Sequence, residues 1–246
     1  MKTTANTILI TGGSAGIGLE MARQFVALGN KVIITGRDEA RLNKAAAELG
    51  NVTAIPFDVS DANSVASLVS RIKTEFPDLN VLVNNAGRAA VHNLAEGNNA
   101  YDIAEAEIHT NFLSVIRLTE LLLPVLKGQQ ASAVINVSSI VAFVPGQSLP
   151  TYSASKAALH SYTKSLRLAL RDTTVKVFEL MPPLVNTELS AEIGGENGIA
   201  PSVLVDDLID GFSTDRFEIR TGQTEDMYRF YLSSPENALL AMNGLS

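Results

Sequence analysis

Two side chains four residues apart are the first candidates for chemistry. The stretch YSASK places Tyr152 and Lys156 at i and i+4, so on a helix they share one face. A free phenol has a pKa near 10. A neighbouring ammonium favours the phenolate and draws that value toward the working range, where tyrosine becomes a usable acid or base. A tyrosine and a lysine at this spacing also occur as an ordinary surface pair. Position separates the two readings. The pair opens a helical pattern just after SSIVAFVPGQSLPT, a segment that leaves a strand's carboxyl end through NVSS. A serine hydroxyl there could hold a carbonyl oxygen.

A second stretch carries chemistry through missing side chains. TGGSAGIG, residues 11–18, has glycines at 12, 13, 16 and 18. Each costs about 0.5–1 kcal/mol relative to alanine inside a helix or strand. A flexible strand-to-helix turn would account for them. So would a phosphate cradle, where bare main chain approaches a ligand and a helix start offers free N–H groups. The spacing reads T-G-x-x-x-G-x-G, which is neither G-x-G-x-x-G nor a P-loop. The apolar TILI precedes it. Ile17, Met21, Phe25 and Leu28 follow at amphipathic-helix spacing. The order strand, glycine turn, helix is the context that a dinucleotide site requires.

Both stretches need a scaffold that brings them to one place. The chain has 246 residues, 46% of them apolar, which is enough core for a large α/β domain. Short β-rich runs alternate with helical patterns. TILIT, KVIITG, VTAIPFD, LNVLVNN, SAVINVSS and VKVFELM read as strands, with a short RFEIR strand later. DEARLNKAAAELG, DANSVASLVSRIKTEF, roughly 101–127 and SASKAALHSYTKSLRLALR read as helices. A looser segment runs to about Phe212, and a final helix closes the chain. The strands are near-continuous apolar runs, which implies burial on both faces. Strict alternation predicts an α/β fold with a Rossmann-like, doubly wound parallel sheet, in a single domain over 1–246. Ligands of such sheets sit at the carboxyl ends of the strands. The net charge of −7 argues against nucleic acid. With no cysteine there is no thiolate metal site, and no metal is expected. No apolar run is long enough for a membrane span or a signal-peptide core. A soluble, cytoplasmic protein is expected.

Taken together, TGGSAGIG, NNAG at 84–87, Asn111, NVSS and YSASK resemble the short-chain dehydrogenase/reductase (SDR) family, in the expected order over the whole chain. RDTTVKVFELMPPLVNTEL and GGSAGIGLEMA further resemble a bacterial subgroup labelled as the oxidoreductase of the teichoic-acid D-alanylation operon. The resemblance implies an enzyme that interconverts carbonyls and alcohols with a nicotinamide cofactor. It implies that Gly12, Ser14, Gly16, Ile17 and Gly18 wrap the cofactor diphosphate. Asp58 and Val59 would meet the adenine. Asn84 would brace the sheet, with Asn85, Ala86 and Gly87 toward the ribose. Tyr152 would be the acid/base, and Lys156 would hold the ribose and lower the tyrosine pKa. Ser139 would hold the substrate oxygen, while Ser138, its strand neighbour, should face the other way. Asn111 would hold a relay water. Leu184, Val185 and Thr187 would meet the nicotinamide. One departure is Pro183, where the family usually has glycine.

Cofactor choice in such sites is set just after the second strand. Here the strand ends Thr35-Gly36, without the acid that favours NAD, and Arg37 follows. NADP(H) is therefore expected, and NAD less so. Arg37 could instead be spent on Asp38 or Glu39. The partner is expected to be a small carbonyl or alcohol substrate, lodged against Phe143, Val144, Leu149, Leu184 and a lid at 188–212. By resemblance a homodimer or homotetramer is expected, through helices carrying Leu118, Leu122, Leu159, Leu166 and Leu170. Arg88 could pair with a substrate acid or with a surface residue. His92, His109 and His160 read as packed or surface residues. A non-catalytic NADP-binding sensor on the same fold is the alternative, although such proteins typically lose the tyrosine or lysine that this chain keeps. A sugar-nucleotide epimerase or dehydratase would need a longer chain.

Overall fold

The computed structural model describes residues 1–97 and 99–245. In chain order the elements are β1 (Thr7–Ile10), α1 (Gly16–Ala27), β2 (Lys31–Gly36), α2 (Glu39–Leu49), β3 (Val52–Pro56), α3 (Ala62–Glu75) and β4 (Val81–Asn84). Then come α4 (Ala100–Ile108), a π turn (His109–Leu113), α5 (Ser114–Lys127), β5 (Ser132–Val137), α6 (Pro150–Ala169) and β6 (Val175–Met181). The chain ends with α7 (Pro201–Thr214), β7 (Glu218–Arg220), α8 (Gln223–Ser233) and α9 (Pro235–Met242). Local signals behave as their chemistry dictates. Asp38 and Asp61 cap α2 and α3 by accepting the N–H of Arg41 and Asn63. Gly50, at φ 77°, ends α2.

Among the described residues the sheet has seven strands, all parallel, in the order β3-β2-β1-β4-β5-β6-β7. The order reverses between β1 and β4. That switch point opens a crevice at the strands' carboxyl ends. Alternate residues of each strand feed opposite cores. Ile8 and Ile10 face Phe25, Phe178 and Phe212, whereas Leu9 faces Ile72, Leu118 and Leu122. No helix among the described residues is long and apolar enough to cross a membrane.

Three expectations change. The segment 188–212 is not one loop. Its second half is α7, whose Leu204, Val205, Leu208 and Phe212 are fully buried in the core beside α1. Amphipathic spacing was present, but the core used it; only 188–198, two short 3₁₀ turns, remains outside. Four of the five leucines offered for self-association are also spent, and Leu166 is half-buried. Leu118, Leu122, Leu159 and Leu170 are buried within the chain. Large apolar residues exposed along 100–127 and α6 are Tyr101, Leu113, Leu121 and Leu168. The C-terminal helix is two helices, divided at Ser234 before Pro235.

Candidate active site

The glycine turn stands at the switch point. Gly12 has φ +67° and lies against residue 86; a Cβ there would meet the Ala86 Cα at 3.0 Å. Gly18 permits closer packing still, since a Cβ would come within 2.3 Å of the Gly12 carbonyl oxygen. The turn is pinned to the end of β4. Asn85 Nδ2 donates to the carbonyls of Thr11 and Gly12 at 2.9 and 3.1 Å, and Thr11 Oγ1 accepts the N–H groups of Asn85 and Ala86. Asn85 thus holds the turn rather than projecting from it. Ala15, at the N-cap of α1, offers no capping side chain. The first-turn N–H groups are left for an external acceptor, which suits a diphosphate. Ser14 packs on the bare Gly36 that ends β2. Gly16, at φ +53°, faces Thr187, bringing the chain's distant 184–187 segment to the same cradle.

The flank beyond β2 and β3 carries charge. Arg37 is exposed and makes no ion pair among the described residues. Asp38 caps α2 instead of pairing with it. Asp58 is partly exposed. Burial raises its pKa, but hydrogen bonds from Ser60, helped by the charges of Arg37 and His109, outweigh that and hold it below the usual value. Val59 behind it is buried.

The reactive candidates converge at the end of β5. Ser139 is buried and starts a 3₁₀ turn, with Val141 N–H on its Oγ. Lys156 is 3% exposed, and its Nζ donates to the Val137 carbonyl at 2.8 Å. That nitrogen stands 5.5 Å from the centre of the Tyr152 ring. Burial pushes the Tyr152 phenol up to about 12; a hydrogen bond with Ser139 acts against this and the charge of Glu107 adds to it. Burial pulls the Lys156 ammonium down to about 8, opposed by Glu179. The expected lowering of the tyrosine by the lysine is therefore not produced by the chain itself. Desolvation dominates both groups, and the ammonium is turned toward a carbonyl. Burial therefore favours the protonated phenol.

Asn111 sits in the π turn and is 1% exposed. Its side chain is occupied: Oδ1 accepts Arg88 N–H, and Nδ2 donates to the Arg88 carbonyl and to Ser155 Oγ. A π turn leaves a carbonyl outside the regular helix ladder. Gly87 lies beside both Asn111 and Lys156. Asn84 links β4 to β5 through Asn136, which in turn reaches Thr163 of α6.

The far wall is built from distant segments. Val185 pairs with Ile199, and this bridge closes the 188–198 loop at its base. Thr187 and Ser190 bond one another there. Leu184 is partly exposed, while Val144 and Leu149 are mostly core. Phe143 packs edge-on against Tyr228 of α8, and Asn243 grips the Pro145 carbonyl and the Gln147 N–H. The C-terminal helices thus clamp the segment that follows Ser139, a role the sequence reading did not assign.

Two buried carboxylates were also missed. Glu107 accepts Ala90 N–H and Thr151 Oγ1–H. Glu179 accepts Ser138 Oγ–H and faces His160. A charge inside the apolar run VKVFELM was the available signal, since buried parallel strands rarely carry one.

A family model described as short chain dehydrogenase matches residues 6–198. The uncharacterized oxidoreductase DltE of Bacillus subtilis (strain 168) is 41% identical over 92% of both chains. Serine 3-dehydrogenase of Agrobacterium fabrum is 35% identical, covering 78% of this chain and 77% of its own. Among solved structures, a short chain dehydrogenase from Burkholderia cenocepacia in complex with NADP superposes with a TM-score of 0.86 at 26% identity, covering 98% of both chains.

Proposed function

The chain belongs to the short chain dehydrogenase family of oxidoreductases, and on that premise we propose that it is a carbonyl reductase that uses NADP(H) to reduce ketones or aldehydes. One observation carries the reading. Ser139, Tyr152 and Lys156 gather at the end of β5, on the same rim as the glycine turn and the uncapped start of α1. When bound, the reduced nicotinamide supplies a hydride.

Each group of the chain has a part. The N–H groups at Gly16, Ile17 and Gly18 hold the diphosphate, with Gly12 and Ser14 shaping the turn. Asp58 and Val59 receive the adenine, and Ala86 and Gly87 line the ribose. Leu184, Val185 and Thr187 border the nicotinamide. Ser139 Oγ donates to the substrate oxygen as negative charge develops there. Tyr152 gives that oxygen its proton, which suits a phenol held protonated. Lys156 holds the ribose hydroxyls and then supports the phenolate as the proton leaves. With the Asn111 side chain already bonded, its main-chain carbonyl in the π turn is the group that holds a relay water.

Arg37 supports NADP over NAD. It is exposed, unpaired among the described residues and follows a strand end without an acid. Its planar fork suits a 2′-phosphate.

A panel of ketones and aldehydes, scanned for loss of NADPH and NADH absorbance, tests the proposal. Turnover of at least one carbonyl, with a higher kcat/KM for NADPH, is expected. Tight NADPH binding with no turnover across the panel would favour the non-catalytic sensor instead.

A further inference from the structure

Glu179 is a carboxylate with a fully buried side chain on β6, the strand next to the edge of the sheet. A buried charge persists only with partners. Glu179 has two, and both are tied to the reactive groups. Ser138 Oγ donates to its Oε1 at 2.5 Å. His160 Nδ1 lies 2.9 and 3.0 Å from its two oxygens. Ser138 is the residue before Ser139. His160 lies one turn beyond Lys156 on α6. Between them, Lys156 Nζ hydrogen-bonds Val137 O, the carbonyl next to Ser138.

Lys156 needs a counter-charge, because a neutral carbonyl alone does not compensate a buried ammonium. The groups facing this part of α6 can be followed element by element. From α4 comes Glu107, whose oxygens are taken by Ala90 N–H and Thr151 Oγ1–H and whose charge acts on Tyr152. From the π turn comes His109, which acts on Asp58, and from the loop after β4 come Arg88, whose main chain meets Asn111, and His92, whose ring meets Thr151 of α6. From β5 the facing side chains are the neutral Asn136, Ser138 and Ser139. On α6 itself stand the Tyr152 phenol and His160. From β6 comes Glu179, which makes no direct ion pair with Lys156 and faces it at longer range from the cluster it forms with Ser138 and His160.

We propose that Glu179 is a positioning residue for Lys156: clamped by Ser138 and His160, it is the buried counter-charge that keeps the lysine cationic and directed along the end of β5. The catalytic consequence rests on the role of Lys156 in the proposed function; the charge coupling itself does not. Burial opposes the ammonium, and Glu179 acts the other way. Removing the anion therefore lets Lys156 lose its proton at lower pH.

The test is an NMR titration of the full chain carrying lysine labelled with carbon-13 at Cε, with the Lys156 signal identified by its loss in Lys156→Met. Wild type is expected to titrate near 8. Glu179→Gln is expected to move that midpoint down by about one pH unit or more. Glu179→Asp keeps the charge and draws it back by one methylene; it should give a smaller shift of the same sign, and it serves if the Gln variant does not fold. The alkaline limb of kcat/KM for carbonyl reduction should move with the midpoint. A merely structural role would lower the melting temperature and leave the lysine midpoint in place, and that result in a folded variant overturns the proposal. The two readings fail separately. A shifted lysine in a protein that reduces no carbonyl sinks the function and keeps the coupling. Carbonyl reduction with an unmoved lysine does the reverse.

Discussion

The two sides of the active crevice are made of different material. On the β1–β4 side the groups that would meet the cofactor are mostly main chain: Gly12, Gly16, Gly18 and the uncapped N–H groups of α1. On the β5–β7 side the groups that would meet substrate and ribose are side chains, namely Ser139, Tyr152 and Lys156, backed by buried Glu107 and Glu179. A main-chain site needs residues that allow a backbone path, and those lie close together in sequence. A side-chain site needs its charges balanced, and the balancing groups come from far away: Glu179 is 19 residues from His160, and Glu107 is 44 from Thr151. The first kind of site is specified by shape, the second by electrostatics.

Removing the proton donor should separate the two sides most sharply. Tyr152→Phe is expected to cut turnover by roughly 10²–10⁴-fold, while fluorescence titration finds NADPH affinity unchanged. A variant that keeps a tenth of the wild-type rate would mean that another group gives the proton.

The next effect is on stability. If α7 belongs to the core, Leu208→Ala should cost about 2–5 kcal/mol in a denaturant titration. A cost near zero would return α7 to the surface and revive a longer lid.

Arg37→Ala tests the side-chain component of the otherwise main-chain side. Loss of a charged hydrogen bond to phosphate is worth about 1.5–3 kcal/mol, so the NADPH dissociation constant should rise roughly 10- to 100-fold, with little change for NADH. Equal effects on both cofactors would remove Arg37 from the 2′-phosphate.

The smallest effect is local. The 188–198 loop, hinged at the Val185–Ile199 bridge, is proposed to close over substrate. Hydrogen exchange in this loop should slow when cofactor and substrate are both present, with α7 unchanged. Equal exchange in every state would count against closure.

Much of this arrangement was readable one residue after another. Glycine spacing, the Asp38 and Asp61 caps, Gly50 and the apolar runs depend on neighbours within a turn or a strand, so their consequences are local. Alternation of strands and helices then left few ways to wind a parallel sheet, and its carboxyl rim had to receive both TGGSAGIG and YSASK. Tertiary structure decided what each apolar or charged residue was used for. Leu204 and Leu208 have the same spacing whether they cover a substrate or a core; packing against α1 chose the core. Leu118 and Leu122 suited a partner helix equally well until the chain's own sheet buried them. Tyr152 was expected to be drawn down by a lysine at i+4, but desolvation raised the phenol and lowered the amine, and desolvation is the sum of everything packed around a group. Spacing along a chain records direction and distance between neighbours. Burial and the source of a counter-charge exist only once remote segments have met, which is why Glu179 and the clamp of α8 on Phe143 emerged with the fold.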